Sequence, residues 1–297
     1  MKLKLGINCG FANNRYIEPE AWGRIVGDLG LHSVQFVADL LNPFLPKDYI
    51  DAQIKRIRES AKRNDFSVDS IFTSTYTRVN HLCHPDAEAR SIWLDWLKRM
   101  LKIGAELGAT TGGSHFGTLT FDTIGDPEKR KRITEAGVKG WQALSHYAKD
   151  LGYESLIIEP MSVPREFANT VAETKAILDL VNADCGVPMK VCLDVGHAPH
   201  PDERDPYPWL LALGKDSPVI HLQQTVLGKS MHWPFTPEYN EQGYIKAEKV
   251  LECLEQSGCT EALLHFELYH REHWDTDGKV ISDHKASVDY WRNYVKD

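Results

Sequence analysis

The chain has 297 residues, 42% hydrophobic and 26% charged, with a formal net charge of −8. That balance excludes global disorder, and the length admits two ordinary domains or one large α/β domain with a substantial core. Non-specific nucleic-acid binding needs a basic surface that the composition does not supply, and no apolar run reaches membrane-spanning length.

In chain order, short β-branched runs alternate with longer amphipathic stretches. A strand is predicted over Leu3–Cys9, where the opening MKLKLGINCGF reaches Asn8 too soon for a secretory signal. A helix follows over Pro19–Leu29, with proline near its start and Gly30 just past its end. Strand Ser33–Ala38 leads to helix Asp48–Asn64, then strand Val68–Ser74 and a polar connection, Thr75–Ala87. Helix Glu88–Leu107 carries Ile92, Trp96, Leu97 and Met100 at helical spacing and stops at Gly108. Strand Ala109–Ser114 precedes helix Pro127–Leu151, which stops at Gly152. Then come strand Ser155–Glu159, helix Thr170–Val181, strand Met189–Asp194 and helix Pro208–Leu213. Strand Pro218–Leu222 is followed by an aromatic loop, Thr225–Tyr244, and helix Lys246–Gln256. Strand Ala262–Leu268 and helix His284–Val295 close the chain. Strand then helix, eight times, predicts one (β/α)8 barrel domain over residues 1–297. A doubly wound sheet would carry a GxGxxG loop after its first strand; GINCGFANN does not. The six cysteines form no CxxC pair, which points to reduced thiols in a cytoplasmic protein.

Placing ionisable residues on this frame puts chemistry at one end of it. Glu159, Asp194, His221 and Glu267 fall at or near the C-terminal ends of the last four strands. A single strand-end carboxylate is equally well a helix cap or half of an ion pair. Four such groups at one barrel mouth share a better explanation, a divalent cation. Three carboxylates and an imidazole suit one Mn²⁺ ion foremost; Mg²⁺, Co²⁺ and Zn²⁺ are alternatives. Such a set leaves coordination positions for a carbonyl and its neighbouring hydroxyl.

The pieces EP after the fifth strand, LDVGHA after the sixth, HL in the seventh and FEL in the eighth resemble the xylose-isomerase-like barrel superfamily. That superfamily holds sugar isomerases, ketose 3-epimerases and apurinic-site endonucleases. The resemblance covers essentially the whole chain, and Asp194-Val195-Gly196-His197 is its most specific piece. It implies that Glu159, Asp194, His221 and Glu267 ligate the metal and that His197 contacts substrate. It implies further that Glu159 and Glu267 exchange a proton with carbon from opposite faces of a cis-enediolate, epimerising a short ketose or a tetrulose phosphate. One base on one face would give aldose–ketose isomerisation instead. The arginine that the 3-epimerase pattern carries six residues after the strand-seven histidine is here Leu227. Arg15, Arg78, Lys229 and Arg271 are the candidate anion contacts for a phosphorylated substrate.

His115, flanked by glycines in GGSHFG, is a pocket candidate. His232 and Trp233, with Phe11 or Phe116, are candidates for an apolar wall over the sugar. His265 alternates with Glu267 and is expected to face the same way. The rivals are a zinc phosphodiesterase of the endonuclease type, a non-catalytic sugar-binding barrel and, more weakly, a dehydratase. The endonuclease pattern wants a histidine on strand three and an Asp-x-His after strand seven; the chain has SIFTSTY and Ser230. The expected partner is a small sugar or sugar phosphate, with no nucleic acid or membrane, in a homodimer or homotetramer.

Overall fold

A computed structural model describes residues 1–161, 163–198 and 200–296. Eight parallel strands close into a barrel in chain order. They are β1 (Lys2–Asn8), β2 (Ser33–Val37), β3 (Ser67–Phe72), β4 (Thr111–Ser114), β5 (Ser155–Ile158), β6 (Met189–Asp194), β7 (Val219–Leu222) and β8 (Glu261–Phe266). The seam is a six-residue register between β1 and β8, from Lys2↔Glu261 to Ile7↔Phe266. With every strand parallel, all C-terminal ends open onto one rim.

The outer ring consists of α1 (Pro19–Asp28), α2 (Lys47–Asn64), α3 (Ala87–Leu107), the short α4 (Phe121–Ile124), α5 (Pro127–Asp150), α6 (Val171–Asn182), α7 (Pro206–Leu213), the short α8 (Pro237–Gln242), α9 (Ala247–Ser257), the short α10 (Trp274–Asp277) and α11 (Val280–Trp291). Local chemistry starts and stops them. Asp86, Asp126, Thr170 and Asp205 accept hydrogen bonds from first-turn N–H groups. Gly108 and Gly258 end α3 and α9 at positive φ, where a side chain would be strained. The last helix starts four residues before the predicted His284 and ends at Trp291. Its buried stripe is Val280, His284, Val288 and Trp291, so the periodic signal begins at Val280.

Most of the core lies between sheet and helices, where Trp22, Trp96, Trp141 and Trp291 are fully buried. A second, separate cluster of Phe72, Ile157, Cys192 and Val219, with Leu263 against it, plugs the barrel interior. This apolar plug sits directly beneath the polar groups described next.

Candidate metal centre and active site

Strand side chains alternate with a period of two, so the residue two beyond an interior plug residue also points inward. Ile157 is followed by Glu159, Cys192 by Asp194 and Val219 by His221. From Leu263 the same rule passes through His265 to Glu267. One ligand atom from each of Glu159, Asp194, His221 and Glu267 lies within 4.8 Å of all the others. His221 Nδ1 is 2.9 Å from Glu159 Oε1 and 3.2 Å from Glu267 Oε2. Asp194 Oδ1 accepts from the Gly196 N–H at 2.6 Å and from Gln223 Nε2 at 2.8 Å.

A relay of amides fixes which nitrogen of His221 faces the carboxylates. The Gly10 N–H can only donate, and its 2.7 Å contact sets Asn8 Oδ1 as the acceptor. Asn8 Nδ2 therefore donates, to Gln35 Oε1 at 2.7 Å and to Glu267 Oε1 at 3.2 Å. Gln35 Oε1 is then an acceptor for His221 Nε2, also at 2.7 Å. Gln35 keeps this orientation although its own Nε2 is buried without a partner. With Nε2–H committed, the neutral imidazole presents the Nδ1 lone pair to two carboxylate oxygens. Three acceptors facing one another need a cation among them, so this donor set fits a divalent metal.

The ionisable groups of the site also perturb one another strongly. Burial would lower the His221 pKa, but Cys192, Glu267 and Glu159 raise it well above the usual value. Burial works to raise Glu159 and Glu267, yet His221 and its neighbours win. Glu159 falls well below its ordinary range and Glu267 falls to about 2. Burial raises Asp194. His197 reaches about 9: burial lowers it, and Asp194 and Glu159 outweigh that. His115 is lowered, chiefly by burial. Perturbed ionisable groups packed in one cleft mark a functional site.

The cleft above these groups is lined by loops following several strands. Glu159, Glu267, His197, His115, Arg15 and Arg78, all singled out in the sequence, line it. His115 Nδ1 lies 3.6 Å from Glu159 Oε2 and, like His197 Nδ1, is buried with no hydrogen bond. Both arginines are already tied: Arg15 to Asp277 and, at 2.7 Å, to the His270 carbonyl; Arg78 to buried Glu166. Lys229, Arg271 and Trp233 do not line the cleft, contrary to expectation. Lys229 and Arg271 are exposed. Trp233 pairs its backbone with Gln224 and stacks on Tyr239 at 4.8 Å, so its neighbour His232 turns inward in its place. Phe11 lines the cleft, whereas Phe116 packs on Trp141 in the core. His265 bonds Ser33 Oγ at 2.8 Å, one layer below, and burial lowers it to about 3. Asn8, Gln35 and Gln223 were missed by sequence reading. Their signal was an amide inside or just beyond an apolar strand, in GIN, SVQFV and VIHLQQ.

Residues 24–294 match the model of the xylose isomerase-like TIM barrel family, and the chain belongs to that family. It is 31% identical over 301 residues to the D-erythrulose 1-phosphate 3-epimerase of Brucella abortus, spanning 99% of this chain and 97% of that protein. A Rhodospirillum rubrum structure provisionally assigned as a xylose isomerase is 25% identical and superposes with a TM-score of 0.88, over 99% of this chain and all of that one. The D-psicose 3-epimerase of Clostridium cellulolyticum shares the fold at a TM-score of 0.74 and 16% identity, covering 99% of this chain and 100% of that one. The chain is an isomerase-class enzyme.

Proposed function

We propose that the protein is a metal-dependent ketose-phosphate 3-epimerase acting on a tetrulose phosphate. The observation that carries the reading is His221 Nδ1, held by the amide relay between Glu159 and Glu267 at 2.9 and 3.2 Å. Glu159, Asp194, His221 and Glu267 would hold the ion, Mn²⁺ foremost, with Mg²⁺, Co²⁺ and Zn²⁺ also compatible with the donor set. When bound, it supplies Lewis-acid stabilisation of negative charge developing on the substrate oxygens.

The remaining chemistry belongs to the side chains. Glu159 and Glu267 come from different strands and both reach the cleft. One removes the C3 proton and the other returns one to the opposite face, which inverts that carbon. Both carboxyls have depressed pKa values; the one that removes the C3 proton acts ionised, and the one that returns a proton first takes it up from cleft water, so the two exchange roles in the reverse direction. His197 and His115, buried beside Glu159, bind substrate oxygens. Arg15 and Arg78 lie on the cleft wall and receive the phosphate. The name of the Brucella relative supports a tetrulose phosphate.

The same reading makes this a cytoplasmic enzyme, which six free cysteines support. Its partner is a small molecule rather than nucleic acid or membrane. A homodimer or homotetramer is part of the same proposal.

The test is a Mn²⁺-supplemented assay in heavy water against free and phosphorylated ketoses of three to six carbons. Deuterium at C3 together with the inverted epimer is the expected result. No exchange across the panel overturns the proposal, and three zinc ions per chain would favour a phosphodiesterase.

A further inference from the structure

His232 is placed with more care than a loop residue requires. Its φ is +50°, the left-handed region that a side chain with Cβ avoids. Its N–H donates to Gln223 Oε1 at 2.5 Å, and its carbonyl accepts from the Tyr269 N–H at 2.9 Å. The next residue is locked to Gln224 by two backbone hydrogen bonds of 2.8 and 3.0 Å. The ring is oriented as well. Nδ1 lies 2.9 Å from the Glu267 carbonyl oxygen, which only accepts, so Nδ1 carries a proton. Nε2 therefore carries the lone pair, which faces His197 Nε2 at 3.2 Å and Gln223 Nε2 at 3.3 Å on the cleft lining.

Asp194, His197 and His232 are close enough to hold a second cation. Gln223 argues that they do not. Its orientation is fixed, because Oε1 takes the His232 N–H. Its NH₂ then lies 2.8 and 3.0 Å from the two Asp194 oxygens and 3.3 Å from His232 Nε2. A donor already stands among the three groups that an ion would need. Cations are also scarce on this side: the position six beyond His221 is exposed Leu227, and Lys229 lies off the cleft.

We propose that His232 is a substrate-contacting residue whose Nε2, converging with His197 Nε2, binds one sugar hydroxyl, and that Gln223 positions it and keeps the site mononuclear. A hydroxyl both gives and takes a hydrogen bond, so by parting the two rings it can replace their direct 3.2 Å contact, taking from one Nε2 and giving to the other. This assignment rests on the ketose reading above.

The test uses His232→Asn, since asparagine tolerates the left-handed backbone and removes the ring. Metal content, thermal stability, kcat/KM and calorimetric binding of a non-enolisable tetritol phosphate are measured on the full chain. Expected are one metal ion per chain in both proteins, unchanged melting, weaker tetritol binding and a kcat/KM reduced about 10–100-fold. A set of singly deoxygenated ketose phosphates then shows one analogue on which variant and wild type differ little, the signature of a lost pairwise contact. Equal loss on every analogue, or a kcat/KM within threefold of wild type, overturns the assignment. So do two ions in the wild type falling to one in the variant. Wild-type protein that neither binds nor turns over any of these compounds defeats the ketose reading and this assignment together; turnover unaffected by the variant defeats this one alone.

Discussion

The barrel interior carries buried polar groups at both ends, and the two ends differ in how those groups are satisfied. At the N-terminal end Lys4 pairs with Asp69 at 3.0 Å, Ser33 donates to Asp69 at 2.6 Å, and His265 meets Ser33 at 2.8 Å. One cation answers one anion, and His265 stays neutral, lowered to about 3 chiefly by burial. At the C-terminal end three carboxylates converge on one imidazole, and the His115 and His197 Nδ1 atoms are buried without partners. The first arrangement balances its charge, although His265 Nδ1 is itself buried without a hydrogen-bond partner. The second sets three carboxylates against one imidazole, a donor set that fits a divalent cation.

Removing one carboxylate from each end breaks or sharpens this comparison. Glu159→Gln and Glu267→Gln should each lower kcat by at least about 10³-fold while circular dichroism and melting report an intact fold. Near-normal turnover in either variant would take that residue out of the chemistry. Chelation should likewise abolish activity, with recovery on adding Mn²⁺. It should also lower melting, because an ion bound at 100 times its Kd stabilises by about 2.7 kcal/mol. Asp69→Asn should do the reverse: kcat within about twofold of wild type and about 1–2 kcal/mol of stability lost in urea unfolding.

Another buried histidine limits what an orphan atom can imply. His284 Nε2 is buried without a partner, yet its surroundings are the Phe11 ring at 5.2 Å and the Val280 carbonyl at 2.7 Å from Nδ1. Burial lowers its pKa to about 4. The unfolded chain, with an ordinary histidine pKa near 6.5, binds the proton first as pH falls. Stability from keeping His284 neutral is therefore present above about pH 6.5 and lost as pH drops towards 4. Relative to His284→Leu, wild type should lose about 3 kcal/mol between pH 7 and pH 4, read from urea midpoints at each pH. A gap that does not change with pH would mean that the folded protein accepts the proton there.

The eight strands and the four converging side chains were legible because both follow from a period-two pattern that the chain carries openly. The register two beyond Ile157, Cys192 and Val219 is visible in LIIE, VCLD and VIH. The polar scaffold behind the site was not. Asn8, Gln35 and Gln223 act through amide orientations that depend on neighbours 27 to 259 residues away, or on a backbone N–H across a loop. Apart from the Gly10 N–H that orients Asn8 from two residues on, local pattern shows the amides but not whom they meet. Trp233 went astray for a related reason, since only the Gln224 bridge decides which of two adjacent aromatic residues turns inward. Gln35→Leu tests the weight of that hidden scaffold. It should weaken metal binding about 10–100-fold, measured by titration of the apo protein, while leaving the fold in place. Unchanged affinity would reduce the relay to packing.

The smallest effects belong to the cations around the cleft. Arg15 and Arg78 face it but spend part of their charge on Asp277 and Glu166. Lys229 is exposed and off the lining. If the cleft wall reads phosphate, Arg78→Ala should raise KM for a phosphorylated ketose about tenfold, with little change for the free sugar. Lys229→Ala should change neither by more than about twofold, since an isolated surface charge interacts weakly across solvent. A phosphate-selective loss in Lys229→Ala, and none in Arg78→Ala, would move the anion contact to the loop after β7 and leave the Arg78–Glu166 pair a purely structural tie.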